Sequence, residues 1–190
     1  MKTKFYFLLL SFISAAFITP KLYAGSATLT TSALAADTIY QGVNTNIVYA
    51  VKMDVTVSSA TVNNIQYTLS GTHDADDLTY TSVYFNATAP IISGATYLGQ
   101  AAATFAAPHT YSYAINRTIT AGSSGYFIIT VNTSTSASDN KTVNVNGATN
   151  PVVFSFSAAT TVTNNQTNAA GVQTIQAAEV NLSTSAVAAD

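Results

Sequence analysis

Residues 46–57 read Asn-Ile-Val-Tyr-Ala-Val-Lys-Met-Asp-Val-Thr-Val, and this stretch decides the fold. Ile47, Tyr49, Val51, Met53, Val55 and Val57 recur at every second position, with Val48, Ala50, Lys52, Asp54 and Thr56 between them. Successive side chains of a strand point to opposite faces, so a period of two with one fully apolar set marks a half-buried β-strand. The β-branched and aromatic residues of the run suit a pleated surface.

Working outward, residues 61–70 repeat the alternation through Ile65, Tyr67 and Leu69. In residues 78–85, Leu78 and Tyr80 fall in one phase and Val83 and Phe85 in the other, which predicts a bulge near Thr81-Ser82. Further strands are expected at 95–104, 110–120, 125–133, 141–146 and 152–158. Ser58-Ser59 and Ser70-Gly71-Thr72 supply turns, Gly122-Ser123-Ser124-Gly125 reads as a hairpin turn, and residues 86–94 form a loop. Eight or nine strands spaced 8 to 15 residues apart predict an all-β fold: an antiparallel two-sheet β-sandwich, Ig-like or jelly-roll-like. Closed barrels share this pattern. The best helical candidate, Ser32–Asp37, is too short to persist alone.

The flanks differ in character. Lys2 and Lys4 precede an apolar stretch from Phe5 to Thr19, and the small Ala24 stands before Gly25, so residues 1–24 read as a secretory signal peptide cut after Ala24. Its apolar core of about 15 residues is short of the ~20 needed to span a bilayer. Residues 25–45 read as an extended N-terminal segment, with Gly25–Ala36 suited to an edge strand. Residues 46–160 form the sandwich, and residues 161–190 add a short strand near Val172–Gln176 and a tail. The expected mature protein is secreted or held at the cell surface without insertion into the membrane.

Composition excludes several functions. Of 190 residues, 48% are hydrophobic and only 7% charged, with no Cys and no Trp. After signal removal 3 basic residues (Lys52, Arg117, Lys141) face 8 acidic ones, a net charge of −5. Such a surface cannot neutralise a run of phosphates, so nucleic acid is excluded as a partner. The absence of Cys removes disulfides, thiolate metal sites and thiol nucleophiles together.

Several short segments resemble the N-terminal accessory domain of BNR-repeat neuraminidases. They are Val48–Val55, the Ser70-Gly71-Thr72-His73-Asp74-Ala75-Asp76-Asp77-Leu78 stretch, Val83-Tyr84-Phe85, Ala95–Gly99 and Gly125–Val131. The resemblance implies a β-sandwich module of secreted proteins from Bacteroidetes-type bacteria. No BNR repeats occur in this chain, so it does not carry sialidase activity over.

The candidate chemistry is sparse. Asp74, Asp76 and Asp77 place three carboxylates within four residues, a weak Ca²⁺ candidate that lacks the EF-hand's Gly and distal Glu. The competing reading is a turn whose Asp side chains accept backbone N–H groups. No catalytic set, cofactor site or other metal site is expected: His73 and His109 are the only imidazoles, and no Gly-x-Ser-x-Gly elbow is present. Tyr67, Tyr80, Tyr84, Tyr97, Tyr111, Tyr113 and Tyr126 would stack on sugar rings if several shared an exposed face, and would otherwise fill the core.

Export, few charges and uncharged ends together favour an adhesive or structural subunit, self-associating into a pilus-like filament or binding other surface proteins. Strand addition through a terminal segment is its mechanism. The donor candidates are Thr28, Leu29, Thr30 and Leu34 at one end, and Val172 and Ile175 at the other. A carbohydrate-binding module acting near polysaccharide-degrading enzymes is the alternative, and a secreted enzyme is disfavoured.

Overall fold

The computed structural model describes residues 25–146, 149–167 and 171–177. The expected signal peptide at 1–24 and the tail beyond 177 lie outside the described residues. Twelve strands follow in order: β1 (Gly25–Thr31), β2 (Asp37–Tyr40), β3 (Asn46–Thr56), β4 (Ala60–Gly71), β5 (Leu78–Asn86), β6 (Thr96–Ala102), β7 (His109–Ile119), β8 (Ser123–Thr133), β9 (Thr142–Asn146), β10 (Val152–Phe156), β11 (Thr160–Asn165) and β12 (Gln173–Gln176).

They form two sheets. The first runs β11-β1-β3-β8-β5-β6, and the second β10-β4-β9-β12-β2, with β7 also paired to β4. β10 and β9 occupy successive lengths of β4, at Val62–Tyr67 and Thr68–Gly71. β7 pairs along β4 from Ala60 to Leu69. The β1–β11 and β2–β12 pairs are parallel and the other pairs antiparallel, so the expected sandwich is present, with more strands than the eight or nine anticipated.

The alternation read from the sequence becomes the packing. Tyr49, Val51, Met53 and Val55 of β3 meet Ile65, Tyr67 and Leu69 of β4 in one core, joined by Val83, Phe85, Phe127, Ile129 and Val131 from the first sheet. Each such side chain contributes about 1.5–3 kcal/mol by leaving water. Two core hydroxyls are satisfied internally: that of Tyr67 lies 2.6 Å from Thr81 Oγ1, and that of Tyr113 donates to the Thr81 carbonyl at 2.9 Å, whereas the Tyr111 hydroxyl is buried without a partner. Burial pushes the Tyr67 hydroxyl pKa well above its ordinary 10.0 and that of Tyr111 to about 12.

Four expectations need correction. Val57, assigned to the core face, is 64% exposed with φ 64°, because the chain turns away after Thr56. The irregularities in β5 fall between Leu78 and Tyr80 and between Val83 and Tyr84, on either side of Thr81-Ser82. Ser123, Ser124 and Gly125 already belong to β8, and the β7–β8 turn sits at Thr120–Gly122, with Gly122 at φ 75°. Finally, β1 is no edge strand: β11, a strand without core-facing alternation, lies along its outer side.

Candidate functional site

The acidic loop closes on itself. Asp77 is 1% exposed, its Oδ2 accepts the Asp74 N–H at 2.6 Å, and its Oδ1 accepts the Ser138 N–H at 2.6 Å. Asp74 turns outward to an ion pair with Lys141 at 2.7 Å, and Asp76 is exposed. A Ca²⁺ site needs six to eight oxygens converging on one point. Here the carboxylates diverge, and the buried one is committed to holding two backbone N–H groups. Among the described residues no group of three His, Asp or Glu side chains could hold a metal.

Neither imidazole is positioned for proton transfer. His73 is buried, with Nδ1 3.5 Å from the Asp74 carbonyl and Nε2 without a partner. Burial lowers its pKa below the ordinary 6.5, partly offset by the Asp74 carbonyl and the nearby Asp77 and Asp74 charges. His109 stacks on Phe105 at 4.0 Å and meets Tyr111 edge-on at 4.8 Å.

The tyrosines separate into two groups. Tyr67, Tyr111 and Tyr113 lie in the core. On β5 and β8 the inward set is Val83, Phe85, Phe127 and Ile129, so the residues between them face outward. Tyr84 stands opposite Tyr97 of β6 and Ile128 of β8, Tyr126 opposite Lys52 and Asn86, and Tyr80 opposite Ala102 and Asn132. Tyr80, Tyr84, Tyr97 and Tyr126 therefore share the outer face of the first sheet. The Tyr84 and Tyr97 rings meet at 5.6 Å and 68°, and Tyr97 is 50% exposed. On β3 the same face carries Lys52 and Asp54, paired to each other at 2.7 Å. The alternation gave each strand's phase, but only the register brings these four onto one surface.

The terminal candidates complete the protein's own sheets. Thr28, Leu29 and Thr30 pair with Asp54, Met53 and Lys52 on one side and with Thr163, Asn164 and Asn165 on the other. Leu34 accepts the Gly171 N–H at 2.7 Å through its carbonyl. Val172 is half-exposed just before β12, whereas Ile175 is fully buried in it and donates its N–H to the Lys141 carbonyl at 2.7 Å.

The surface that sequence reasoning missed is β11. As the last strand of the first sheet it has an outer side that pairs with no strand among the described residues, Thr-Thr-Val-Thr-Asn-Asn carries no charge, and Val162 is exposed. A shallow groove of about 150 Å³ beside it is lined by Leu29, Val152, Phe154 and Val162 among others. β10, across the groove, is protected: Gln166 Oε1 accepts the Val152 N–H at 3.1 Å, and its Nε2 donates to the Val152 carbonyl at 2.8 Å. That carboxamide stands in for a neighbouring strand. The only signal in the sequence was the β-propensity of Thr and Val in residues 160–163.

No family model and no curated protein matches this chain. Among solved structures it is similar to a chain of the CaDoc0917–CaCohA2 complex, at 12% identity and a TM-score of 0.34, covering 79% of this chain and 99% of that one. It is also similar to the seventh ScaB type I cohesin of Pseudobacteroides cellulosolvens, at 12% identity and a TM-score of 0.31, covering 84% of this chain and 98% of that one.

Proposed function

We propose that this chain is a non-catalytic adhesive module of the cell exterior that associates with further copies of itself by adding strands at the free edge of β11. The observation that carries the reading is that edge: six uncharged residues, unpaired on one side among the described residues, beside an apolar groove. Natural edge strands are usually blocked by Lys, Pro or a covering element, and β11 contains neither Lys nor Pro. Backbone hydrogen bonds supply such a contact, and alternate side chains fix its register. Donation of β1 or β12 is less favourable, because each would first have to leave a paired position within its own sheet. The expected export signal supports an extracellular setting, and the committed carboxylate of Asp77 supports a role without reaction chemistry.

Sedimentation velocity over a concentration series, with electron microscopy of the concentrated sample, tests this reading. The mature protein is expected to form concentration-dependent assemblies, and Val162→Lys to remain monomeric with an unchanged circular dichroism spectrum. A wild type that stays monomeric throughout, or a variant that assembles equally well, removes the proposal.

The outward tyrosines favour a second reading, in which the first sheet's outer face binds glycan by ring stacking. Tyr84→Ala with Tyr97→Ala should then abolish retention on insoluble polysaccharide while leaving β11-mediated assembly intact. Equal retention of wild type and double variant on every polysaccharide counts against it.

A further inference from the structure

We propose that the rim of the sandwich beside the β7–β8 turn is a binding site for a small carboxylate, centred on Arg117. This goes beyond the association surfaces above and does not depend on them.

Three cations lie among the described residues. Lys52 pairs with Asp54 and Lys141 with Asp74, each at 2.7 Å. The Arg117 guanidinium has no ion pair among the described residues, and its Nε has no hydrogen-bond partner. The alternation of β7 turns Tyr111, Tyr113, Ile115, Arg117 and Ile119 toward the other sheet, so this charge is aimed between the sheets and not at open solvent. Its guanidinium carbon lies 3.8 Å from the centroid of the Phe85 ring, and its Nε is sealed from water without a partner. Phe85 is itself held edge-on against Phe127 at 5.2 Å, so the shelf under the guanidinium is rigid.

A partly desolvated guanidinium favours a planar acceptor that can take two parallel N–H donors, and a carboxylate matches that fork. The adjoining cleft has the remaining parts. Thr118, Thr120, Ser123 and Ser124 line it; the Thr118 hydroxyl pairs with that of Thr61 at 2.8 Å and those of Thr120 and Ser123 with each other at 3.0 Å, and no carboxylate among the described residues lines it. One cation among neutral hydroxyls balances one negative charge, which fits a monoanion better than a phosphate dianion. The cleft measures about 180 Å³, below the ~300 Å³ of a site for drug-sized ligands. Its occupant is therefore a small acid or the acidic unit of a longer chain. Because the mature chain carries net negative charge, general attraction of anions to the surface does not contribute, and binding has to arise locally.

The test is titration of the ¹⁵N-labelled mature protein with sodium glucuronate, sodium acetate and uncharged methyl glucoside at low salt, followed by amide shifts. Both carboxylates should give saturable shifts at residues 85, 117–120 and 123–125, and the glucoside none. Glucuronate binding about tenfold tighter than acetate assigns the site to uronic acid units, and equal affinities assign it to free small acids. Arg117→Gln should weaken either ligand at least about tenfold, and Arg117→Lys, which keeps the charge but loses the fork, by a smaller factor. Absence of localised shifts in the wild type at tens of millimolar carboxylate overturns the proposal, whatever the fate of the variants. So do shifts of equal size with the glucoside, or in a folded Arg117→Gln protein.

Discussion

Asp77→Ala separates a structural acidic loop from a calcium site. In the native protein the Asp77 carboxylate accepts two backbone N–H groups at 2.6 Å, from Asp74 within the loop and from Ser138 across the β8–β9 connection. Hydrogen bonds to a charged group contribute about 1.5–3 kcal/mol each, and their loss leaves two partly buried donors without their acceptor. Some relaxation toward water offsets part of this, so the substitution should cost about 3–5 kcal/mol of a total near 5–15 kcal/mol. For a domain of this size the melting temperature should fall by on the order of 10 °C. Asp77→Asn keeps one oxygen acceptor but turns an NH₂ toward the second donor, and should lose about half as much. The exposed Asp76→Ala should stay within about 0.5 kcal/mol of wild type. Urea and thermal unfolding followed by circular dichroism, in EDTA and again in millimolar Ca²⁺, measures all of these. The reasoning fails if Asp77→Ala unfolds like wild type in EDTA. It fails equally if Ca²⁺ raises the wild-type midpoint and that gain vanishes in Asp74→Ala and Asp77→Ala, because stabilisation by a ligand follows its binding to the folded state.

Other outcomes follow from the same structure. Gly125→Ala should destabilise by about 1–3 kcal/mol through overpacking, because a Cβ there would lie 2.2 Å from Phe85 Cζ; Phe85→Leu in the same chain should recover part of the loss in chemical denaturation. Tyr67, Tyr111 and Tyr113 all have folded pKa values raised above 10.0 by burial, so the unfolded chain releases their protons first and stability should fall as pH rises through about 10 to 12. Tyr111→Phe, whose lost hydroxyl has no partner, should flatten that alkaline slope in a pH series of melts. His73 is held neutral by burial, so the unfolded chain takes up a proton near pH 6.5 that the folded protein refuses, and stability should fall as pH drops below that value. His73→Gln should remove this acid dependence, and an unchanged slope would exclude His73 as its source.

The candidate surfaces were legible to different degrees. The core and solvent faces of β3 and β4 could be read residue by residue, because alternation is set within a strand and needs no partner. Val57 escaped that reading because alternation carries no mark of where a strand stops. Residues 160–165 escaped because an exposed edge strand buries almost nothing and so shows no period. The acidic loop left two readings open in the sequence. The structure adds Ser138, 61 residues away, whose N–H is held by one of the two Asp77 oxygens. Arg117 drew no notice, being one charge on a strand whose neighbours are ordinary; what distinguishes it is the ring beneath it and the lack of a carboxylate beside it.

The amino-acid order alone determined that this chain forms strands, which side of most of them faces inward, and that no thiol or basic surface is at its disposal. Those properties follow from local spacing and from composition. Which strands lie side by side, that both terminal segments complete their own sheets, and that four tyrosines meet on one outer face were decided only in three dimensions. Backbone hydrogen bonds between strands are nearly the same whatever residues make them, so pairing and register are fixed by how the whole set of side chains fills one core.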